Sequence, residues 1–284
     1  MNKYDCIVIG AGPAGISACI YLQRSKLKVL LIERSTPGGR MLQASEISNY
    51  AGMNDSGINI ATKMFEMLDL SKIDFVIEDV LNVKKDNEIL VETNLNTYVC
   101  DKLIVATGFV NKTLPNTNEA EFVGRGVSYC ALCDAPLVKN KEILAYANSK
   151  KSIDEITYLS TLAKKVYLIT NNTSVDVENI EVINNAVIKR FNGTFRLNSV
   201  TIEKENQEID LPASMAFIFN GYQPGTSFLK SLEVTNNFGL IDVDQNYETK
   251  VKNIYAIGDV NNRKIKQVAT AVGDGAYVAS LIIK

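Results

Sequence analysis

The sequence predicts an α/β fold in two three-layer domains, the second inserted into the first, and three observations carry this. The chain opens on "YDCIVIGAGPAGISACIYLQRSKLKVLLIER", where apolar strand, glycine turn, helix and apolar strand follow one another as in a βαβ unit. Buried-type strands ending in small residues recur far apart, at "DKLIVATG" (101–108) and "NIYAIGDV" (253–260). Between them, from about Lys112 to Gln223, lies a segment with its own alternation: "EILAYA", "IDEITYLSTLA", "KKVYLIT", "EVINNAVIKRF", "SVTIEK" and "MAFIFNGY". A chain of 284 residues has room for roughly two domains. The expected division is 1–111 with 224–284 for the first domain, and 112–223 for the second.

Taken in order, Cys6 to Ile9 reads as a strand, Ala14 to Arg24 as a helix, and Val29 to Ile32 as a second strand ending at Glu33. Gly10-x-Gly12-x-x-Gly15 sits on the strand-to-helix turn, and the acid follows about 20 residues on. Together these form the full dinucleotide fingerprint of a Rossmann-like domain in its required context. The first glycine permits the tight turn, the second lets a pyrophosphate approach the backbone, and the third lets helix and strand pack closely. Glu33 is placed to accept hydrogen bonds from ribose hydroxyls. Cys6 and Cys19 fall on this strand and helix, and Cys100 stands just before a strand; all three read as structural. A helical run from about Gln267 to Ile282 closes the chain. In the inserted segment "EILAYANSKKSIDE" (142–155) repeats the strand–turn–helix outline, but its turn has no glycine.

Lys+Arg 30 against Asp+Glu 32 gives a net charge of −2, so no global field favours nucleic acid or an anionic membrane. No apolar run approaches the roughly 18 residues of a membrane span. "MNKYDCIVIG" enters a strand at once, without the outline of a signal peptide. Five cysteines, an odd number, do not make a disulfide framework, and the expected compartment is a reducing cytosol. With no histidine at all, Ser-His and Cys-His nucleophile pairs and imidazole metal sites are excluded. Acid–base work falls to Asp, Glu, Lys, Tyr or thiols.

"SYCALCDAP" holds Cys130-Ala131-Leu132-Cys133. Two thiols at this spacing at the start of a helix can form a small, reducible disulfide, with a thiolate favoured by the helix N-terminus. The alternatives are two inert buried cysteines, or half of a zinc site. The zinc site needs a second CxxC or histidines, which are lacking, so no metal is expected. Asp134 is the best-placed proton donor for a leaving thiolate or a reduced flavin; the alternative is a plain capping Asp.

Over essentially its whole length the chain resembles the low-molecular-weight flavoprotein thioredoxin reductases. The resemblance rests on Gly10-Ala11-Gly12-Pro13-Ala14-Gly15, Glu33, "PGGRMLQASEISNYAG" (37–52), Ala106-Thr107-Gly108, "GVSYCALCDAP", "YAIGDV" and "KIKQVATAVGDGAYVAS". It implies one FAD per chain bound to the first domain and a redox disulfide, Cys130–Cys133, in the second. By position, Gly12, Ala14 and Gly15, with Gly10 and Pro13, cradle the pyrophosphate, and Glu33, with Arg34 beside it, holds the adenosine ribose. Gly39, Arg40 and Gln43 line the flavin side, Asn49 lies near the ring, and Ala106, Thr107 and Gly108 follow the strand beneath. Gly258 and Asp259 meet the ribityl chain, while Lys266, Gln267 and Val268 lie at the pyrimidine edge. Arg40 stands where the family usually has Gln. The resemblance further implies that Cys133 approaches the flavin, that Cys130 exchanges with a thioredoxin or thioredoxin-like protein, that Asp134 is the acid, and that the protein is a homodimer.

One departure bears on the electron donor. NADPH-dependent members carry a second glycine-rich turn where this chain has Ala147-Asn148-Ser149-Lys150-Lys151-Ser152, and a His-Arg-Arg phosphate clamp where it has Thr170, Asn171 and Asn172. The helix that follows in those members is also missing from "LITNNTSVDVENIEVI". The expectation is therefore FAD without NADPH and electrons from ferredoxin, as in the ferredoxin-dependent flavin thioredoxin reductases. Ferredoxins are generally acidic, so docking calls for a basic patch: Lys139, Lys141, Lys150, Lys151, Lys164 and Lys165, or, nearer the flavin motif, Arg263, Lys264 and Lys266. A diflavin-type or other NADPH-independent disulfide reductase, or a flavin redox sensor, are the alternatives.

Overall fold

The computed structural model describes residues 2–171 and 174–284. The chain divides into two compact units, Met1–Val110 with Gln223–Lys284, and Asn111–Tyr222.

In the first unit the strands Asp74–Ile77, Val29–Glu33, Asn2–Ile9 and Thr97–Val105 lie side by side and parallel. The last of these is long enough to serve two neighbours on its other edge. Its start pairs with the antiparallel strand Ile89–Thr93, and its end pairs in parallel with Ile254–Ala256. Ile9 is level with both Ile32 and Val105, and Val105 with Ala256. Gly10, Glu33, Ala106 and Gly258 therefore all emerge at one edge of the sheet, the carboxyl end where α/β sheets hold ligands.

The two-residue alternation of a strand distributes the core. Cys6 and Val8 face the helices Pro13–Leu22 and Val268–Ile283, while Ile7 and Ile9 join Leu30, Ile32 and Val105 on the other side. The two helices touch closely. A Cβ on Gly275 would lie 2.3 Å from the Ala14 carbonyl oxygen and 2.9 Å from the Ala18 nitrogen. Ser17 Oγ adds a 2.7 Å hydrogen bond to the Val272 carbonyl across the same contact.

Some boundaries differ from expectation; the first strand starts at Asn2, not Cys6, and the strand near 253–260 is only Ile254–Ala256. Cys100 lies inside the strand Thr97–Val105, not before it, because the antiparallel pairing with Ile89–Thr93 extends that strand toward its start. The first helix ends at Leu22, and Arg24 belongs to the turn after it.

The second unit holds a five-stranded parallel sheet in the order Val127–Ser128, Met215–Phe219, Glu142–Ala147, Lys165–Thr170, Ile180–Asn184. A separate antiparallel sheet of Val187–Asn192, Ser199–Lys204 and Gln207–Pro212 accompanies it. The helix Lys150–Ser160 links two of the parallel strands. The next link, 171–179, contains no helix among its described residues, and is shorter than the dozen or more residues usual for a parallel crossover. Among the described residues no helix is long and apolar enough to cross a membrane.

Gly275→Ala is expected to cost about 1–3 kcal/mol, since the new methyl meets backbone that cannot move aside. Gly273→Ala, in the same helix, has open space around its Cβ and is expected to stabilise by up to about 1 kcal/mol. Denaturant unfolding of the two variants checks both signs.

Candidate active site

The fingerprint turn uses its three glycines differently. A Cβ on Gly10, at φ +103°, would lie 2.6 Å from the Ala106 carbonyl oxygen, and one on Gly15 would lie 1.9 Å from that of Gly10. These two positions exist to let strand ends and helix meet. A Cβ on Gly12 would meet nothing within 4 Å, so this glycine keeps open a space that the protein itself does not fill. The helix Pro13–Leu22 begins there with no side-chain cap and with Pro at its first turn. Glu33 reaches back to the turn, its Oε2 accepting from the Ala11 N–H at 2.7 Å and its Oε1 from Ser35 N–H at 3.0 Å. A carboxylate has about four acceptor positions, so Glu33 retains capacity for a hydroxyl.

A cleft opens at this edge, lined by Gly10, Glu33, Arg34, Glu78, Asp79 and Thr107 among others. Glu78 is buried, with only 6% of its surface exposed, and its side chain accepts from Thr93 Oγ1 (2.5 Å), Asn96 Nδ2 (2.7 Å) and Tyr98 OH (2.8 Å). Its N–H donates to the Glu33 carbonyl at 2.9 Å. Burial alone would raise its carboxyl pKa, but the three hydrogen bonds together outweigh this and hold it below the usual range.

Several residues expected on the flavin side come together. Asn49 Nδ2 donates to Gln267 Oε1 at 3.0 Å, and Gln267 caps the helix that starts at Val268. Arg40, in the turn Gly39–Gln43, stands 3.7 Å from Asp259 and 5.9 Å from the Phe109 ring centre. A Cβ on Gly39 would lie 3.3 Å from the Gly12 Cα, and one on Gly108 4.0 Å from the Asp259 Cβ. Thr107 Oγ1 donates to the Gly225 carbonyl at 2.7 Å. Lys266 Nζ donates to the Asn261 carbonyl at 2.5 Å. Burial raises the Asp259 carboxyl and lowers the Lys266 ammonium, and the attraction of each for the other opposes both shifts. The sequence reading missed Asp274 and Asn261. Asp274 is the lone acid in a helix of small and apolar residues, a legible signal; Asn261 carried none.

In the second unit, the strand Val127–Ser128 pairs with the sheet at Phe217 and delivers Cys130 to the start of a short helical turn, Ala131–Asp134. Cys130 and Cys133 form a disulfide with Cα atoms 5.4 Å apart. The Cys133 N–H points at Cys130 Sγ at 3.2 Å, the contact that favours a thiolate on that sulfur. Ser128 Oγ accepts from the Cys130 N–H at 3.1 Å. Cys130 and Asp134 are half-buried and Cys133 is exposed. Asp134 makes no side-chain cap to the turn that follows it. The other three cysteines are buried, and burial pushes their thiols up, that of Cys100 to about 12. Among the described residues no cluster of three metal-ligating side chains exists.

The second turn is built differently from the first. Ser149 caps the helix Lys150–Ser160, its Oγ accepting from Ser152 N–H at 3.2 Å and lying 2.7 Å from Ser152 Oγ. Asn148 Oδ1 accepts from the Asn171 N–H at 2.9 Å and lies 3.4 Å from Thr170 Oγ1, while its Nδ2 donates to Tyr146 OH at 3.0 Å. Asn172 lies outside the described residues. Of the basic sets, Lys164 is paired with Glu142 (2.9 Å) and Lys165 with Glu181 (2.6 Å). Arg263 lies 3.9 Å over the Tyr247 ring, and Lys264 is exposed.

The family model described as pyridine nucleotide-disulphide oxidoreductase matches residues 4–275. Thioredoxin reductase of Ureaplasma parvum is 33% identical over 98% of this chain and 96% of its own. Among solved structures, thioredoxin reductase of Lactococcus lactis is 31% identical with a TM-score of 0.70, covering 99% of this chain and 98% of that one. A ferredoxin-flavin thioredoxin reductase of Clostridium acetobutylicum is 28% identical with a TM-score of 0.57, covering 100% and 98%. The chain belongs to the pyridine nucleotide-disulphide oxidoreductase family, and its fold is that of the thioredoxin reductases within it.

The depressed carboxyl of Glu78 gives a pH dependence of definite sign. A folded-state pKa below the unfolded one, about 4.3 for Glu, means the stabilisation is present above that pH and is lost as pH falls through the folded value. Glu78→Gln should flatten the loss of stability below about pH 4.3. Parallel denaturant titrations of the two proteins at pH 3–6 read this out.

Proposed function

We propose that this protein is an FAD-dependent disulfide reductase that reduces thioredoxin, or a thioredoxin-like protein, through Cys130 and Cys133, with electrons from reduced ferredoxin rather than NADPH. In this reading the unit formed by 1–110 and 223–284 binds one FAD, the other unit carries the dithiol, and the protein is a cytoplasmic homodimer.

The observation that carries the reading is the contrast between the two turns. At the first, the helix start has no side-chain cap, Gly12 leaves space beside it and Glu33 stands at the neighbouring strand end, so the residues fit a dinucleotide there. At the second, Ser149 and Asn148 already occupy the helix start and the adjoining strand end. A pyrophosphate would have to displace both, and Thr170 and Asn171 supply no guanidinium for a 2′-phosphate. Relatives named thioredoxin reductase support the substrate, and the ferredoxin-flavin thioredoxin reductase shows that a similar fold goes with that donor elsewhere.

When bound, FAD would supply the conversion between one-electron and two-electron transfer. The disulfide takes two electrons and two protons to become the Cys130–Cys133 dithiol, with Asp134 as the proposed proton donor. The Cys130 thiolate, favoured by the Cys133 N–H, then attacks the thioredoxin disulfide and forms a mixed disulfide. Cys133 resolves it, restoring the Cys130–Cys133 bond and releasing thioredoxin as the dithiol. A ferredoxin near −400 mV and a thioredoxin near −270 mV leave about 130 mV, or about 6 kcal/mol over two electrons. With Lys164 and Lys165 already paired, the Arg263–Lys264 stretch is the better docking surface for an acidic donor.

Anaerobic absorbance at the flavin band tests the donor. Chemically reduced ferredoxin should bleach the protein, oxidised thioredoxin should restore the colour, and NADPH and NADH should do neither. Rapid bleaching by NADPH would sink the ferredoxin assignment. Gly12→Ala should keep the wild-type melting temperature of the apoprotein yet lower flavin content at least tenfold, because its methyl group meets no protein atom within 4 Å and stands in the space left for the ligand.

A further inference from the structure

We propose that Asp274 is a positioning residue of the flavin site, holding Gly258 and Asp259 in place and lowering the reduction potential of the flavin bound beside them. The inference rests on the flavin reading above.

Asp274 sits on the helix Val268–Ile283 with 9% of its surface exposed. One carboxylate oxygen accepts from the Gly258 N–H at 3.0 Å and the other from Tyr247 OH at 2.5 Å. Gly258 has φ +71°, and a Cβ there would lie 2.9 Å from the Ala14 Cβ. The turn that presents Asp259 is thus pinned between the first helix and the last, and Asp274 is its polar anchor. Tyr247 is itself held by Arg263, 3.9 Å over its ring, and by Tyr277 at 5.7 Å between ring centres.

A backbone N–H and a phenol can be satisfied by a neutral acceptor of the same shape, and a buried charge costs free energy that such an acceptor avoids. Asp274 also acts electrostatically on both Asp259 and Lys266. With Arg40 next to Asp259 and Arg263 over Tyr247, the place holds three cations, Arg40, Arg263 and Lys266, and two anions, Asp259 and Asp274. Removing one anion increases the excess positive charge where an electron acceptor would bind. A fixed negative charge in a low-dielectric surrounding opposes the arrival of electrons, so its removal must make the flavin easier to reduce.

The test measures flavin content first, then the midpoint potential of bound flavin in wild type, Asp274→Asn and Tyr247→Phe, with thermal unfolding alongside. In Asp274→Asn the reduction equilibrium should shift at least tenfold toward the reduced form, about 30 mV upward for two electrons. Tyr247→Phe keeps the charge and should show no upward shift. Where Asp274→Asn does not retain flavin, Asp274→Ser takes its place, with the same upward shift expected. A lower melting temperature with an unmoved potential would reduce Asp274 to a structural residue and overturn the inference, as would equal upward shifts in both variants. Wild-type protein that binds no flavin would overturn the proposed function, and this inference with it.

Discussion

The first unit depends on how closely helix and strand approach at the fingerprint turn. The Gly15 position sits so near the Gly10 carbonyl that even a methyl group would overlap it. The same helix meets the last helix at Gly275 under a similar constraint. These contacts bring three distant parts of the chain to one sheet edge: the first turn, the strand end at Ala106 and the segment 258–268. Without them the residues around Asp259 and Gln267 would have no fixed relation to the residues around Gly12.

The two helix starts after the parallel strands illustrate how little separates a ligand site from a closed turn. Both present N–H groups and the positive end of a helix dipole. At Gly12 no side chain caps the helix start, whereas at Ser149 a hydroxyl and at Asn148 a carboxamide take up donors nearby. In the function proposed above, a side chain tethered in place competes with a free phosphate at a high effective concentration. The short link after Thr170 fits the same trend, since the strand passes to its neighbour with no helix among the described residues.

Buried carboxylates recur wherever loops must be held at the strand ends. Glu78 ties the Thr93–Tyr98 segment to the strand carrying Glu33, and Asp274 ties the Gly258 turn to the last helix. In the second unit, Glu119 is buried, accepts from the Leu114 N–H at 2.7 Å and receives Tyr129 OH, next to Cys130. Each carboxylate serves two or more donors. Each also leaves a fixed charge near residues expected to work.

The βαβ start, the close-packing roles of Gly10 and Gly15 and the glycine-free second turn were legible in the sequence because they are local: backbone conformation and close approach act over a few residues. Glu33 and the Cys130–Cys133 pair were legible because their spacing carries chemistry. Tertiary structure alone decided that Arg40 meets Asp259, that Asn49 meets Gln267, and that Asp274 anchors Gly258. These pairs join residues far apart in the chain, and their partners are chosen by which strand ends the packed helices bring level. It also decided that Cys100 lies within a strand, through an antiparallel neighbour that local pattern did not announce. The chemistry of the turns is written in short segments; the company each charge keeps is set by the packing of helices on the sheet.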